Sequence, residues 1–249
     1  MRVGLRAGLA ALAVLAGLAT PRALAQPRPL DDVRFEAWSR EALSYLTAAP
    51  WFLDRATLRA LAVPPPPPNS APATRAELDE LLRLQAARTP DERRAIERHL
   101  RYDGVCRELL AAAGRAPDAL RRTRALLDHV ERDVRFAVFH AKRRFGRARP
   151  HQLDARLRPS IAVPPHAAYP SGHAIEAHVA GLVLARLAPG SREALAAAAR
   201  QIGHEREIAG VHYPSDGVAS RALGDAVFAL LERNGRFARE LEAARGEWR

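Results

Sequence analysis

From Leu120 to Phe139 the apolar residues Leu120, Leu126, Leu127, Val130, Val134, Val138 and Phe139 recur mostly three or four positions apart or side by side. That period puts them on one face of an α-helix. It predicts a long helix starting at Ala116-Pro117-Asp118 and running close to Phe145. Shorter helical patterns flank it. Residues 31–49 carry Val33, Ala37, Ala42, Leu43 and Leu46, and 50–62 hold a second short helix around Leu58. Residues 74–87 follow with Leu78, Leu81, Leu82 and Leu84. Thr89 can cap and Pro90 can open a helix reaching about Ala113. Later helices are expected from Ser171 to Pro189-Gly190, from a Ser191 cap to about Ile208, from Tyr213-Pro214 to about Arg233, and over 237–244. Pro64 to Pro68 must be extended and read as a spacer. Residues 146–170, rich in Pro, Arg and His, read as irregular. No strand alternation and no internal repeat is present. The fold class is therefore all-α, a single-domain packed helical bundle.

The N-terminus has its own logic. Arg2 and Arg6 precede an apolar run from Ala7 to Ala19, and Ala23-Leu24-Ala25 is a small-residue cleavage site. Residues 1–25 thus read as a signal peptide, leaving a mature domain of 26–249 that is periplasmic or secreted. The run is too short for a membrane span, and no later segment is long and apolar enough. Cys106 is the only cysteine, so no internal disulfide is expected. The formal charge of +11 favours anionic partners. The basic residues are interspersed with acids and no nucleic-acid-binding motif occurs, which points to small anions rather than nucleic acid.

Of the 39 basic residues only Lys142 is lysine. A compact ammonium is not interchangeable with a planar guanidinium. Lys142 opens the first of three segments with anion chemistry, followed seven positions on by Arg149-Pro150. The second is Tyr169-Pro170-Ser171-Gly172-His173. A helix beginning there presents free N–H groups to an anion, and Gly172 permits close approach. The third joins Arg206, His212 and Asp216. Asp216 can hold one imidazole nitrogen of His212 and leave the other unprotonated. Each segment alone also suits an ordinary structural role: cations at a helix C-terminus, a serine cap, a His–Asp bond. Together they supply what phosphoryl transfer requires. Lys142, Arg149 and Arg206 provide charge, and Ser171 and Gly172 provide donors. His212 is the nucleophile, with Asp216 orienting it. His173 is the acid for the leaving group and then the base for water.

The three segments resemble the signature of the phosphatidic acid phosphatase type 2 superfamily: Lys-x6-Arg-Pro, Pro-Ser-Gly-His and Ser-Arg-x5-His-x3-Asp. The match runs through Lys142, Arg149, Pro150, Pro170, Ser171, Gly172, His173, Arg206, His212 and Asp216. Within it the chain is most similar to bacterial class A non-specific acid phosphatases, including the stretch from Leu61 through Pro64–Pro68 to Ser70. The resemblance covers roughly 55–248, with a catalytic core of about 117–233. It implies a helical bundle of the phosphatidic acid phosphatase type 2 and vanadium haloperoxidase type. It also implies a metal-independent acid phosphatase of broad range that forms a phosphohistidine on phosphate monoesters, without a cofactor. A homo-oligomer is compatible with it. One departure is Glu205, standing where the family has Ser. A carboxylate facing phosphate would repel it, so Glu205 is expected to point away or to pair with a neighbouring Arg.

Rival readings are a vanadium-dependent haloperoxidase, a lipid phosphate or diphosphate phosphatase, and a basic protein that only holds anions. His204-Glu205 starts a zinc-type pattern, but Ile208 occupies the second histidine position, so the motif is absent. His140, His151 and His178 show no ligand spacing. His166 precedes the second segment and is placed to line the pocket. Tyr169 and Tyr213 flank the site segments, as pocket walls or as packing.

Overall fold

The structure, a computed structural model, describes residues 29–116 and 119–249. The expected signal peptide and the Pro117-Asp118 start of the long helix lie outside the described residues. The rest is helical, with no strand among the described residues and one isolated antiparallel bridge between Arg34 and Arg147.

Among the described residues eleven α-helices follow in order. They are α1 (Arg40–Ser44), α2 (Arg55–Ala60), α3 (Pro72–Ala87), α4 (Pro90–Arg98), α5 (Tyr102–Ala112) and α6 (Arg121–Phe145). Then come α7 (Pro150–Leu153), α8 (Gly172–Leu187), α9 (Arg192–Ile208), α10 (Pro214–Leu231) and α11 (Gly235–Arg245). α8 is the central helix, packed by α5, α6, α9 and α10. Its faces are accordingly apolar: Ile175, Val179, Val183 and Leu184 are fully buried. They meet Phe136 and Val138 of α6 and Leu223 and Val227 of α10 in one large core. Each such side chain contributes about 1.5–3 kcal/mol by leaving water.

Local chemistry sets several ends, those at Thr89 and Ser171 and the stop near Phe145 as expected. Thr89 caps α4 in a complete capping box with Glu92, and Pro90 fills the first position. Ser171 caps α8 and Asp54 caps α2. α6 ends where Gly146 takes a left-handed conformation, φ 58°, and returns its N–H to the Lys142 carbonyl.

Other expectations are corrected. Residues 31–39 are not a helix beyond one 3-10 turn, Leu30–Asp32. The Phe35 N–H instead bonds the Gly146 carbonyl, and Ser39 N–H bonds Pro165, so this chain runs as a strap across the bundle. The helix expected from Pro90 to about Ala113 is two helices, broken at His99-Leu100-Arg101. The chain doubles back there so tightly that a Cβ on Gly104 would sit 1.9 Å from the Arg98 carbonyl oxygen. The irregular 146–170 stretch holds the single turn α7. Ser191 makes no side-chain cap; a 3-10 turn at Pro189–Ser191 leads into α9. No helix of the described residues is long and apolar enough to cross a membrane.

Candidate active site

Three chain segments separated by up to 70 positions meet beside the N-termini of α8 and α10. The turn at Gly146 sends the chain from the end of α6 into Arg147-Ala148-Arg149. Arg149 stands just before α7, with its N–H held by Gln152 at 2.7 Å. α8 begins at Gly172 and aims its first turn at the same place. Arg206 comes from the last turn of α9, and the tight turn at Gly210 carries His212 back toward it.

His212 is 3% exposed. Its Nδ1 lies 2.9 Å from Asp216 Oδ2, and its Nε2 lies 3.0 Å from Arg149 Nη1. A guanidinium only donates and an ionised carboxylate only accepts. The neutral ring therefore carries its proton on Nδ1 and a lone pair on Nε2. Burial, then Arg149 and Lys142, hold the His212 imidazole well below its ordinary range, so it is neutral. Asp216 is itself fixed: Arg147 Nη1 donates to Oδ1 at 2.6 Å, and the Tyr213 N–H donates to Oδ2 at 3.1 Å.

Arg149 is wholly buried and spends its other donors on the His166 carbonyl (3.0 Å), the Val211 carbonyl (2.7 Å) and His166 Nδ1 (3.1 Å). Burial lowers its pKa to about 10. Arg206 differs. It is 1% exposed, and its Nη2 reaches the Ile96 carbonyl at 3.2 Å. Its Nε and Nη1 are buried with no hydrogen-bond partner. Two guanidinium donors left without acceptors cost several kcal/mol, of order 1–3 each.

Arg206, His212, Gly172 and His173 line one cleft of about 500 Å³. The two site imidazoles thus share it. His173 Nε2 is 3.3 Å from the Leu100 carbonyl. Burial, then Arg206, lower its pKa to about 3, against the raising effect of the His99 and Leu100 carbonyls. A Cβ on Gly172 would meet no atom within 4 Å, so the space beside it is open.

Not every expected residue faces that cleft. Lys142 is fully buried, and its ammonium donates to the carbonyls of Ala167 (2.9 Å), Ala168 (3.0 Å) and Pro170 (2.5 Å). It holds the loop leading into α8 and acts on the site through its charge, which depresses both His212 and His166. The Ser171 N–H is occupied by the Asp216 carbonyl at 3.3 Å, leaving the Gly172 and His173 amides as the first-turn donors. Tyr169 and Tyr213 do not line the cleft: Tyr169 hydrogen-bonds the Pro64 carbonyl, and Tyr213 packs under Arg147, 3.7 Å from its guanidinium. His166 does line it.

Glu205 is 2% exposed and faces away from the cleft. Its Oε2 lies 2.7 Å from Nδ1 of buried His99 and 3.4 Å from Arg206 Nη2. The expected pairing with an Arg is present, and His99 is the closer partner. The sequence reading missed His99, Arg147 and its second carboxylate Glu77, at 2.9 Å. Only the position of Arg147, two before Arg149, hinted at it.

Comparison with known proteins follows the same lines. The PAP2 superfamily profile matches residues 134–237, which contain all three segments. The non-specific acid phosphatase of Salmonella typhi is 27% identical over 194 residues, 74% of this chain and 78% of that protein. That of Providencia stuartii is 26% identical over 135 residues, covering 53% and 54%. Among solved structures, a bacterial vanadium-dependent iodoperoxidase shares the fold with a TM-score of 0.65 at 16% identity. The likeness covers 82% of this chain and 60% of that one.

Proposed function

We propose that this chain, which belongs to the PAP2 superfamily, is an acid phosphatase that hydrolyses phosphate monoesters through a phosphohistidine on His212. The carrying observation is that a neutral imidazole with its lone pair on Nε2 shares a cleft with two unpartnered guanidinium donors of Arg206. A tetrahedral dianion satisfies both.

The steps follow from the groups in place. A phosphate ester enters with its oxygens on Arg206 and on the Gly172 and His173 amides. It replaces His212 Nε2 as the partner of Arg149 Nη1 and frees the lone pair. Nε2 attacks phosphorus, the Nε2–P bond forms and the P–O bond to the alcohol breaks. The departing oxygen takes a proton from His173, whose pKa the bound anion raises. Asp216 balances the charge that develops on the ring of His212. Water then gives its proton to His173 and attacks phosphorus. The N–P bond breaks and inorganic phosphate leaves. Side chains and backbone amides supply the countercharge at every step. A leader of the kind at residues 1–25 fits action in the periplasm or outside the cell.

The test is release of phosphate from p-nitrophenyl phosphate in excess chelator. Wild-type protein turns over and is inhibited by vanadate; His212→Ala loses at least about 10³-fold in kcat. Undiminished turnover in His212→Ala overturns the mechanism. Iodide oxidation by vanadate-treated protein in peroxide, with no phosphate release, would favour a haloperoxidase instead.

A further inference from the structure

The cleft does not end at the cationic cradle. It extends between α1, α5, α6 and α8, where Glu41, Tyr45, Tyr102, Arg135, Phe139 and Glu176 form its far wall. Glu176 lies three residues after His173 on α8, so the two share a face, one helical turn apart.

Glu176 is out of place as a structural residue. It is 7% exposed within the most apolar helix of the bundle, between Ile175 and Ala177, both fully buried. Its ion-pair partner among the described residues is Arg135 Nε, at 3.5 Å. That guanidinium is already engaged elsewhere. Its Nη2 lies 2.6 Å from Glu131 Oε1, and its Nη1 donates to the Tyr45 hydroxyl at 2.7 Å. The Tyr45 hydroxyl in turn donates to Glu41 Oε1 at 3.0 Å. Two carboxylates, Glu131 and Glu176, therefore share one guanidinium, a third, Glu41, lies one hydroxyl away, and Lys142 and Arg206 add their attraction to Glu176. Burial raises the Glu176 carboxyl above its ordinary range, so ionising it carries a cost that a cation in the cleft would remove. The wall also includes the rings of Tyr45 and Phe139, packed on each other at 4.6 Å with the Arg135 guanidinium 4.9 Å over the Tyr45 ring, which gives an alkyl chain apolar surface. The same cleft is positive at its other end, where the unpartnered Arg206 donors lie.

Resting on the phosphatase reading, we propose that this wall is a subsite for a cationic leaving group. The preferred substrates are phosphate monoesters of alcohols that bear an ammonium group. The anionic phosphate sits on Arg206, and the ammonium sits on Glu176. A chain of two or three carbons spans the rise of about 4.5 Å between positions three apart on α8.

The experiment compares kcat/KM for O-phosphorylethanolamine with that for ethyl phosphate at neutral pH, in wild-type protein and in Glu176→Gln. The expected result is a wild-type preference for the amine ester of at least about tenfold, the scale of one charge-assisted hydrogen bond. It is expressed mainly in KM and falls to about threefold or less in Glu176→Gln. Equal kcat/KM for the two esters in wild-type protein overturns the subsite and leaves the phosphatase reading standing. An undiminished preference in Glu176→Gln also overturns it. Turnover of neither ester overturns both.

Discussion

His212 Nδ1 and Asp216 Oδ2 stand 2.9 Å apart across the first turn of α10, with the other Asp216 oxygen held by Arg147 at 2.6 Å. The carboxylate is pinned from both sides, and the imidazole it holds cannot turn over. Asp216 thereby decides which nitrogen of His212 carries the lone pair.

Asp216→Asn removes that control. An amide can present its NH₂ to Nδ1 and stabilise the opposite tautomer, with the proton on Nε2. The expected outcome is a fall in kcat on the order of 10³- to 10⁴-fold. Steady-state kinetics on p-nitrophenyl phosphate check it, with circular dichroism to confirm folding. A loss below tenfold contradicts the role.

The pH profile tests His173. In the ligand-free site its pKa is lowered to about 3, chiefly by burial and then by Arg206. A bound dianion adds negative charge beside the ring and offsets Arg206, which favours the imidazolium, so the pKa rises on binding. The basic limb of kcat should therefore lie at higher pH than that of kcat/KM, which reports the free enzyme. Ring ¹⁵N shifts of His173 should move toward the protonated form when vanadate is added. Coincident limbs and unmoved shifts would contradict this.

Lys142→Arg enlarges a side chain that has no exposed surface and whose ammonium meets three carbonyls. A guanidinium cannot reproduce that convergence. Overpacking is expected to cost about 1–3 kcal/mol, read from urea unfolding, together with lower kcat/KM. Unchanged stability and kinetics would show that the loop before α8 does not depend on this residue.

Glu205→Ser removes a buried carboxylate 3.4 Å from Arg206 and deprives His99 of its 2.7 Å partner. Arg206 then keeps more of its charge for phosphate. Inhibition by phosphate should tighten several-fold, while stability falls by about 1–3 kcal/mol. Inhibition constants and denaturant midpoints check both. An unaltered inhibition constant contradicts the idea that Glu205 tempers the site.

The sequence carried the helices whose apolar faces are built from local spacing, above all α6 and α8, and the capped starts of α4 and α8. It did not carry the strap at 31–39, because Phe35 and Ser39 are fixed by carbonyls of Gly146 and Pro165, more than 100 positions away. Nor did it carry the break between α4 and α5, where neither Pro nor Gly stands at Leu100. At the site, the grouping of Arg149, Gly172, His173, Arg206, His212 and Asp216 was legible because their types and spacings suggest one anion site, and the fold does bring them together. Arg147, His99 and Glu176 were not. Their importance comes from what faces them across the fold: Asp216 and Glu77, Glu205, and Arg135.

The most direct measurement is rapid acid-free quenching of wild-type protein with ³²P-labelled phosphate ester, followed by mapping of the protein-bound label. The account predicts a base-stable, acid-labile phosphoramidate on His212, absent in His212→Ala and, with p-nitrophenyl phosphate, whose leaving group needs no acid, accumulating in a His173→Ala variant that cannot activate water. Turnover with no protein-bound phosphate, or a label on another residue that persists in His212→Ala, would contradict it.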